Sequence, residues 1–121
     1  NKDPGAYYNR GLANQELDNH LDAVDDFKKS LTMDGKMYKG NTHNNIGWSY
    51  SQLEDYDNAL IHFNKAIEIK PKEGMFYADK GDALYELGKE EEACSNYLKS
   101  FELGYEEIKD YLNSSDGEWC K

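Results

Sequence analysis

The sequence predicts an all-α solenoid of three antiparallel helix pairs followed by a C-terminal capping helix. Two observations lead to this prediction. A set of small and aromatic residues recurs three times along the 121-residue chain, at a period that suits a pair of helices. Within each recurrence the apolar residues follow the spacing of one helix face, and polar residues, glycine or proline stand between the helices.

The period becomes visible when the sequence is aligned with itself. Ala23, Ala59 and Ala93 take matching places, 36 and then 34 residues apart. A glycine stands twelve residues before each alanine, an aromatic ring four residues after it, and Ser or Ala seven after it. These residues are Gly11, Gly47 and Gly81, then Phe27, Phe63 and Tyr97, then Ser30, Ala66 and Ser100. The longer first period places an insertion in the turn DGKMYKG.

Each unit therefore contains a glycine-centred helix and an alanine-centred helix. Asp3 before Pro4 has the form of an N-cap followed by a first-turn proline. Pro71 cannot continue a helix and ends the fourth one. The expected helices lie near 4–16, 20–33, 40–53, 56–70, 74–87 and 90–103.

Small residues in these helices predict close packing. Two antiparallel helices approach closely only where side chains are small, so Gly47 and Ala59 are expected to face each other. Phe63 fills the gap beside them, and Ala66 leaves room for the next unit. Enlarging Ala59 to Leu is expected to cost about 1–3 kcal/mol by overpacking.

The C-terminal segment YEEIKDYLNSS places Tyr105, Ile108, Tyr111 and Leu112 on one helical face. We expect a capping helix over 105–114 that covers the end of the stack, with a partner-binding amphipathic helix as the alternative. Residues 115–121 are expected to form a loose tail.

The two cysteines, Cys94 and Cys120, form no metal-ligand spacing and are too few for a disulfide scaffold. Two free thiols are expected, and Cys94 follows Ala93 on the inward face as a small core residue. One bridge that ties the tail to the last helix pair is the alternative.

These residues resemble the tetratricopeptide repeat family. The middle unit shows the family pattern of an aromatic, a hydrophobe, Gly, Tyr, Ala, an aromatic, Ala and Pro, with a histidine replacing only the first aromatic. The residues are His43, Ile46, Gly47, Tyr50, Ala59, Phe63, Ala66 and Pro71. Unit one deviates at Arg10, Asn14, Ser30 and Gly35, and unit three at Lys80, Ser100 and Tyr105. The resemblance implies a right-handed solenoid with repeats over 4–37, 40–73 and 74–104.

The resemblance also implies a concave groove, lined mainly by the first helix of each pair, that holds an extended peptide or a partner helix. Registered on the family pattern, the expected groove residues are Tyr8, Asn9, Leu12 and Glu16 in unit one, Asn44, Asn45, Trp48 and Gln52 in unit two, and Met75, Ala78, Asp79, Asp82 and Glu86 in unit three. Trp48 is either a contact anchor for the partner or filler against a neighbouring first helix. Asn9 and Asn45 take matching places and either hydrogen-bond a peptide backbone or lie as solvated surface.

One subset of the family clamps the acidic C-terminus of chaperones with Lys, Asn and Arg, and here only Asn45 matches that clamp. Tyr8, Leu12, Met75 and Asp79 stand where the other clamp residues would be. A free carboxylate would be repelled, so chaperone-tail binding is not expected. The expected partner is a protein or peptide with basic and bulky apolar residues.

Composition and motifs exclude several other classes. A formal net charge of −10 disfavours nucleic acid and anionic lipid as partners. No apolar run approaches the ~18 residues that membrane insertion requires. His20, His43 and His62 show no ligand spacing. The acids Asp22, Asp25 and Asp26 are interpreted as helix-start residues that the helix dipole favours. We therefore expect no metal, no cofactor and no catalytic residue, and the protein is not expected to be an enzyme.

The alternative functions are a self-assembling structural subunit, or the adaptor part of a larger protein. Since residue 1 is Asn and not Met, we expect the native N-terminus to have been removed, and repeats that precede residue 1 stay an open alternative. The sequence does not choose between a cytoplasmic and an exported protein.

Overall fold

The computed structural model describes residues 3–33 and 39–120, which form seven α-helices and one short 3₁₀ helix. The α-helices are α1 (Pro4–Glu16), α2 (His20–Met33), α3 (Lys39–Gln52), α4 (Tyr56–Ile69), α5 (Gly74–Glu86), α6 (Glu90–Glu102) and α7 (Glu106–Asn113), and the 3₁₀ helix is Ser115–Cys120. The all-α prediction is confirmed, and each of the first six helices agrees with its predicted bounds to within one residue. The insertion predicted in DGKMYKG falls largely on residues 34–38, outside the described part of the chain.

The helices pack as three pairs, α1 with α2, α3 with α4 and α5 with α6, and the second helix of each pair packs against the first helix of the next. The turn within each pair has the same backbone form. Asp18 and Glu54 both have φ of 61°, and Gly88 has φ of 80° at the matching place. Of these three residues only Gly88, in the third turn, adopts a positive φ without steric cost, because glycine has no Cβ.

The glycine of each first helix lies directly against the aromatic ring of its partner helix. A Cβ at Gly47 would lie 2.6 Å from ring atoms of Phe63 and 3.0 Å from the carbonyl oxygen of Ala59. The same close approach joins Gly11 to Phe27 and Gly81 to Tyr97, at 2.6 Å and 2.7 Å. The prediction that Gly47 faces Ala59 is confirmed, and this contact turns the opposite side of each first helix outward.

An ion pair between the exposed Arg10 and the buried Asp26 explains departures of the first helix pair from the repeat pattern at Arg10 and Asn14. The guanidinium of Arg10 donates to both carboxylate oxygens of Asp26, at 2.7–3.1 Å, and Asn14 Nδ2 donates to Asp26 Oδ2 at 2.8 Å. Asp26 is buried. Interpreting Asp26 as a helix-start acid was therefore wrong, since its carboxylate is held by α1 rather than by the helix dipole.

The C-terminal residues fold back on α6 instead of forming a loose tail. Helix α7 buries Ile108 and Leu112 and covers the end of the stack. A disulfide joins Cys94 to Cys120, so the expectation of free thiols was wrong and the bridge is the alternative that the structure contains. The ring of Trp119, which belongs to the 3₁₀ helix, packs on Tyr85 and Tyr97 of the third pair.

In the part of the chain that the structure describes, no helix has both the length and the apolar content that crossing a bilayer requires.

Candidate functional site

A groove of about 480 Å³ is lined by α1, α3 and α5, on the sides of these helices that face away from their partner helices. Six of the nine residues predicted for partner binding line it: Leu12, Asn44, Asn45, Trp48, Met75 and Asp79. Glu16, from the wider predicted set, also lines the groove. The helix spacing read from the sequence thus brings residues from all three helix pairs to one surface.

The other three predicted residues lie outside this lining. Tyr8 packs edge-on against Phe27, with ring centroids 5.6 Å apart, and its hydroxyl accepts a hydrogen bond from Asn45 Nδ2 at 3.2 Å. Asn9 is exposed beyond the groove. Asp82 lines a smaller neighbouring cavity instead. Asn45 therefore has an internal partner, and the expected symmetry between Asn9 and Asn45 does not extend to their surroundings.

Three groove residues were missed by the sequence analysis, namely Gln15, Tyr105 and Glu107. Gln15 Nε2 donates to the carbonyl of Asn45 at 3.0 Å and to Ser49 Oγ at 2.9 Å, which ties α1 to α3. Tyr105 and Glu107 come from the start of the capping helix, where the Tyr105 hydroxyl donates to Glu107 Oε2 at 2.9 Å. The repeat pattern assigns groove residues only to the helix pairs and none to a capping helix. No sequence signal therefore pointed to Tyr105 or Glu107.

Trp48 packs against a second helix, α2, rather than against a neighbouring first helix, and its role as a contact anchor stays a prediction. Its indole packs edge-on against His20 of α2, with ring centroids 5.5 Å apart, which holds one side of the ring in place. The residue is nevertheless 37% exposed and lines the groove. A large, partly fixed aromatic surface is thereby presented to solvent.

Asn44 and Asp79 join the second and third helix pairs at the floor of the groove. Asn44 is only 3% exposed, and its Nδ2 donates to Asp79 Oδ2 at 2.9 Å. Burial raises the pKa of Asp79 to about 7, an effect that Asp82 and Glu107 add to and the bond from Asn44 opposes. Burial thus shifts the Asp79 carboxyl toward its protonated form near neutral pH.

A second cavity of about 250 Å³ adjoins the groove and shares Asp79, Tyr105 and Glu107 with it. Its remaining lining is Ala78, Asp82, Ile108 and Tyr111. Asp82 accepts a hydrogen bond from the Tyr97 hydroxyl, and burial raises the pKa of both groups. We call this cavity the side pocket.

The combined surface is acidic and partly apolar. Of the described residues that line the groove or the side pocket, none is a lysine, arginine or histidine. The described residues also contain no group of three or more His, Cys, Asp or Glu side chains arranged to hold a metal ion. The site can therefore bury apolar side chains and accept hydrogen bonds, above all from cations.

Comparison of the sequence with known families and proteins gives a consistent result. A Tetratricopeptide repeat profile matches residues 4–72, and a second one matches residues 76–103. Photosystem I assembly protein Ycf3 of Prochlorococcus marinus is 28% identical over 127 aligned positions, which cover 90% of this chain and 73% of that protein.

Solved structures with the same arrangement of helices include complexes with peptides. The Yersinia enterocolitica type III secretion chaperone SycD, in complex with a peptide of the translocator YopD, superposes with a TM-score of 0.83 at 21% identity, covering 96% of this chain and 90% of that one. The first repeat domain of Spaghetti, bound to the HSP90 peptide SRMEEVD, gives 0.78 at 22% identity and covers 92% and 94%. At these identities the likeness shows a shared fold.

Proposed function

Because the chain belongs to the tetratricopeptide repeat family, a family of protein–protein interaction modules, we propose that it holds a partner peptide or helix in its groove without catalysing a reaction. The observation that carries this proposal is the position of Trp48. A tryptophan that is braced by His20 and yet 37% exposed has the form of an interface anchor. Leu12 and Met75 extend the apolar surface around it.

The charge of the groove indicates a basic partner. Glu16, Asp79 and Glu107 line it, and the chain carries a net charge of −10, so a cationic segment is attracted over a distance and then at close range. The HSP90 peptide held by Spaghetti carries two glutamates and an aspartate against one arginine. Such a peptide would meet like charges here, and a peptide with basic and bulky apolar residues fits better.

The test is binding to an immobilised library of acetylated, amidated octapeptides of mixed composition, since this probe needs no knowledge of the partner. Trp48→Ala is expected to weaken binding about thirtyfold, the loss typical of removing an interface anchor. Phe101→Ala is the matched control, because Phe101 is a 42%-exposed aromatic on α6 that does not line the groove. Both variants are compared with the wild type by circular dichroism first.

Equal binding by the wild type and Trp48→Ala would contradict the proposal. An absence of peptide binding, together with a molecular mass that rises with concentration in sedimentation, would favour the self-assembling subunit instead.

A further inference from the structure

Carboxyl groups collect where the groove meets the side pocket, and no cation of the described chain forms an ion pair with them. Asp79, Asp82 and Glu107 accept hydrogen bonds from Asn44, Tyr97 and Tyr105, all of them neutral groups. The ion pairs found among the described residues lie elsewhere, at Arg10–Asp26, His20–Asp18 and Lys99–Glu102. Three carboxyl groups thus surround one small cavity without a positive partner.

Asn44 gives an independent sign that a ligand group is missing. Its side chain is almost fully buried, and its amide nitrogen is used by Asp79. Its Oδ1 is also buried but has no hydrogen-bond partner within the described residues. Buried polar atoms are normally paired, and this oxygen belongs to a residue that lines the groove. Five buried side-chain atoms of the described residues lack a partner, and this oxygen is the one among them that belongs to a groove-lining residue, so a donor that enters the groove could pair with it.

The shape of the side pocket indicates which donor it receives. Ala78, Ile108 and Tyr111 provide apolar walls, while Asp79, Asp82 and Glu107 provide acceptors. An apolar stem that ends in a cation matches both parts. A bare metal ion does not, because the described residues hold no cluster of three or more ligand side chains close enough to bind one.

We propose that the side pocket, with Asn44 and Asp79 at its mouth, binds an arginine side chain of the peptide held in the groove. This inference rests on the proposed function and specifies one position of the partner. Arginine suits the pocket better than lysine, because a guanidinium has five donors in a fixed plane and an ammonium has three. The guanidinium satisfies the free oxygen of Asn44 and the Asp79 carboxylate together, with donors left for Asp82 or Glu107.

The experiment uses the same octapeptide library, now synthesised with one central position fixed as arginine, lysine or citrulline. Citrulline keeps the size and shape of arginine but is neutral. The wild type is expected to bind the arginine set about tenfold more tightly than the citrulline set, the difference expected for one charge-assisted hydrogen-bond cluster, with the lysine set between them.

Two variants locate that preference. Asp79→Asn keeps a side chain that bonds to Asn44, so it is expected to fold and to lose most of the arginine preference. Glu107→Gln changes an exposed residue at the start of α7 and is expected to reduce the preference without altering the fold. Asp57→Asn is the control, since it removes the same charge from an exposed place on α4 outside the groove.

The outcomes separate this inference from the proposed function. Library binding that depends on Trp48 but is equal for arginine and citrulline would overturn the arginine pocket and leave the groove function standing. An arginine preference that is undiminished in both Asp79→Asn and Glu107→Gln would also overturn it. If no octapeptide binds at all, the proposed function fails, and the arginine pocket fails with it.

Discussion

Replacing Gly47 with alanine tests whether the contact between paired helices sets the stability of the fold. The new Cβ would lie 2.6 Å from two ring atoms of Phe63 and 3.0 Å from the Ala59 carbonyl oxygen. Carbon atoms pack best at about 3.5–4.0 Å, so the two helices must separate or the ring must turn. Overpacking of this kind costs about 1–3 kcal/mol. Alanine returns up to about 1 kcal/mol through its higher helix propensity.

Gly40→Ala is the matched comparison, because Gly40 lies in the same helix but its new Cβ would meet the flexible side chain of Lys70 at 3.2 Å. Both alanine variants gain helix propensity, and the Lys70 side chain can move away from the new Cβ at position 40. Gly47→Ala is therefore expected to be less stable than Gly40→Ala by about 1–3 kcal/mol. Urea unfolding followed by circular dichroism at equal protein concentration measures this difference.

A second substitution shows whether the clash with the ring is the cause. Phe63→Leu removes the ring and costs stability on its own, but it also vacates the space that the new methyl group needs. The loss in Gly47→Ala, Phe63→Leu is expected to be smaller than the sum of the two single losses. If Gly47→Ala and Gly40→Ala are equally stable, or if the double variant shows strict additivity, the close-approach argument is refuted.

Three further predictions follow from the turns, the groove and the cap. Glu54→Gly relieves a positive φ and is expected to stabilise the protein by about 1 kcal/mol in urea unfolding, whereas an unchanged midpoint would contradict this. Arginine-peptide binding, measured by fluorescence anisotropy, is expected to tighten from pH 6 to pH 8. The Asp79 carboxyl, which has Asp82 and Glu107 beside it and a pKa of about 7, must lose its proton to pair with a cation. Asp79→Asn is expected to flatten this pH profile. Replacing Cys94 and Cys120 by serine is expected to cost about 3 kcal/mol, and equal melting of this variant and the oxidised wild type would refute a stabilising bridge.

The helices and their pairing could be predicted because the residues that specify them are local and repeated. Gly47, Ala59 and Phe63 are related by fixed spacings, and the structure shows that these spacings record one contact. Pro71 and the polar residues after Gln52 mark the ends of two helices through local sequence, without any distant contact. Where a residue's role is fixed by its own repeat, the sequence carries enough information to place it.

The end wall of the groove and the fold of the last residues could not be predicted, since they depend on contacts between segments with no shared register. Tyr105 and Glu107 reach the groove only because α7 docks across the third pair. Cys94 and Cys120 are brought together by the 3₁₀ helix, whose sequence has no apolar period. In the same way, the partner of Asp26 is Arg10, sixteen residues earlier, at a place where the repeat pattern calls for a different residue.

Several side chains that line the groove also make hydrogen bonds between one helix pair and the next. Gln15 bonds to Asn45 and Ser49, and Asn44 bonds to Asp79, so successive first helices are joined by the side chains that face a ligand. A partner that forms a hydrogen bond with Asn44 or Asp79 would therefore compete with a contact that joins the second helix pair to the third.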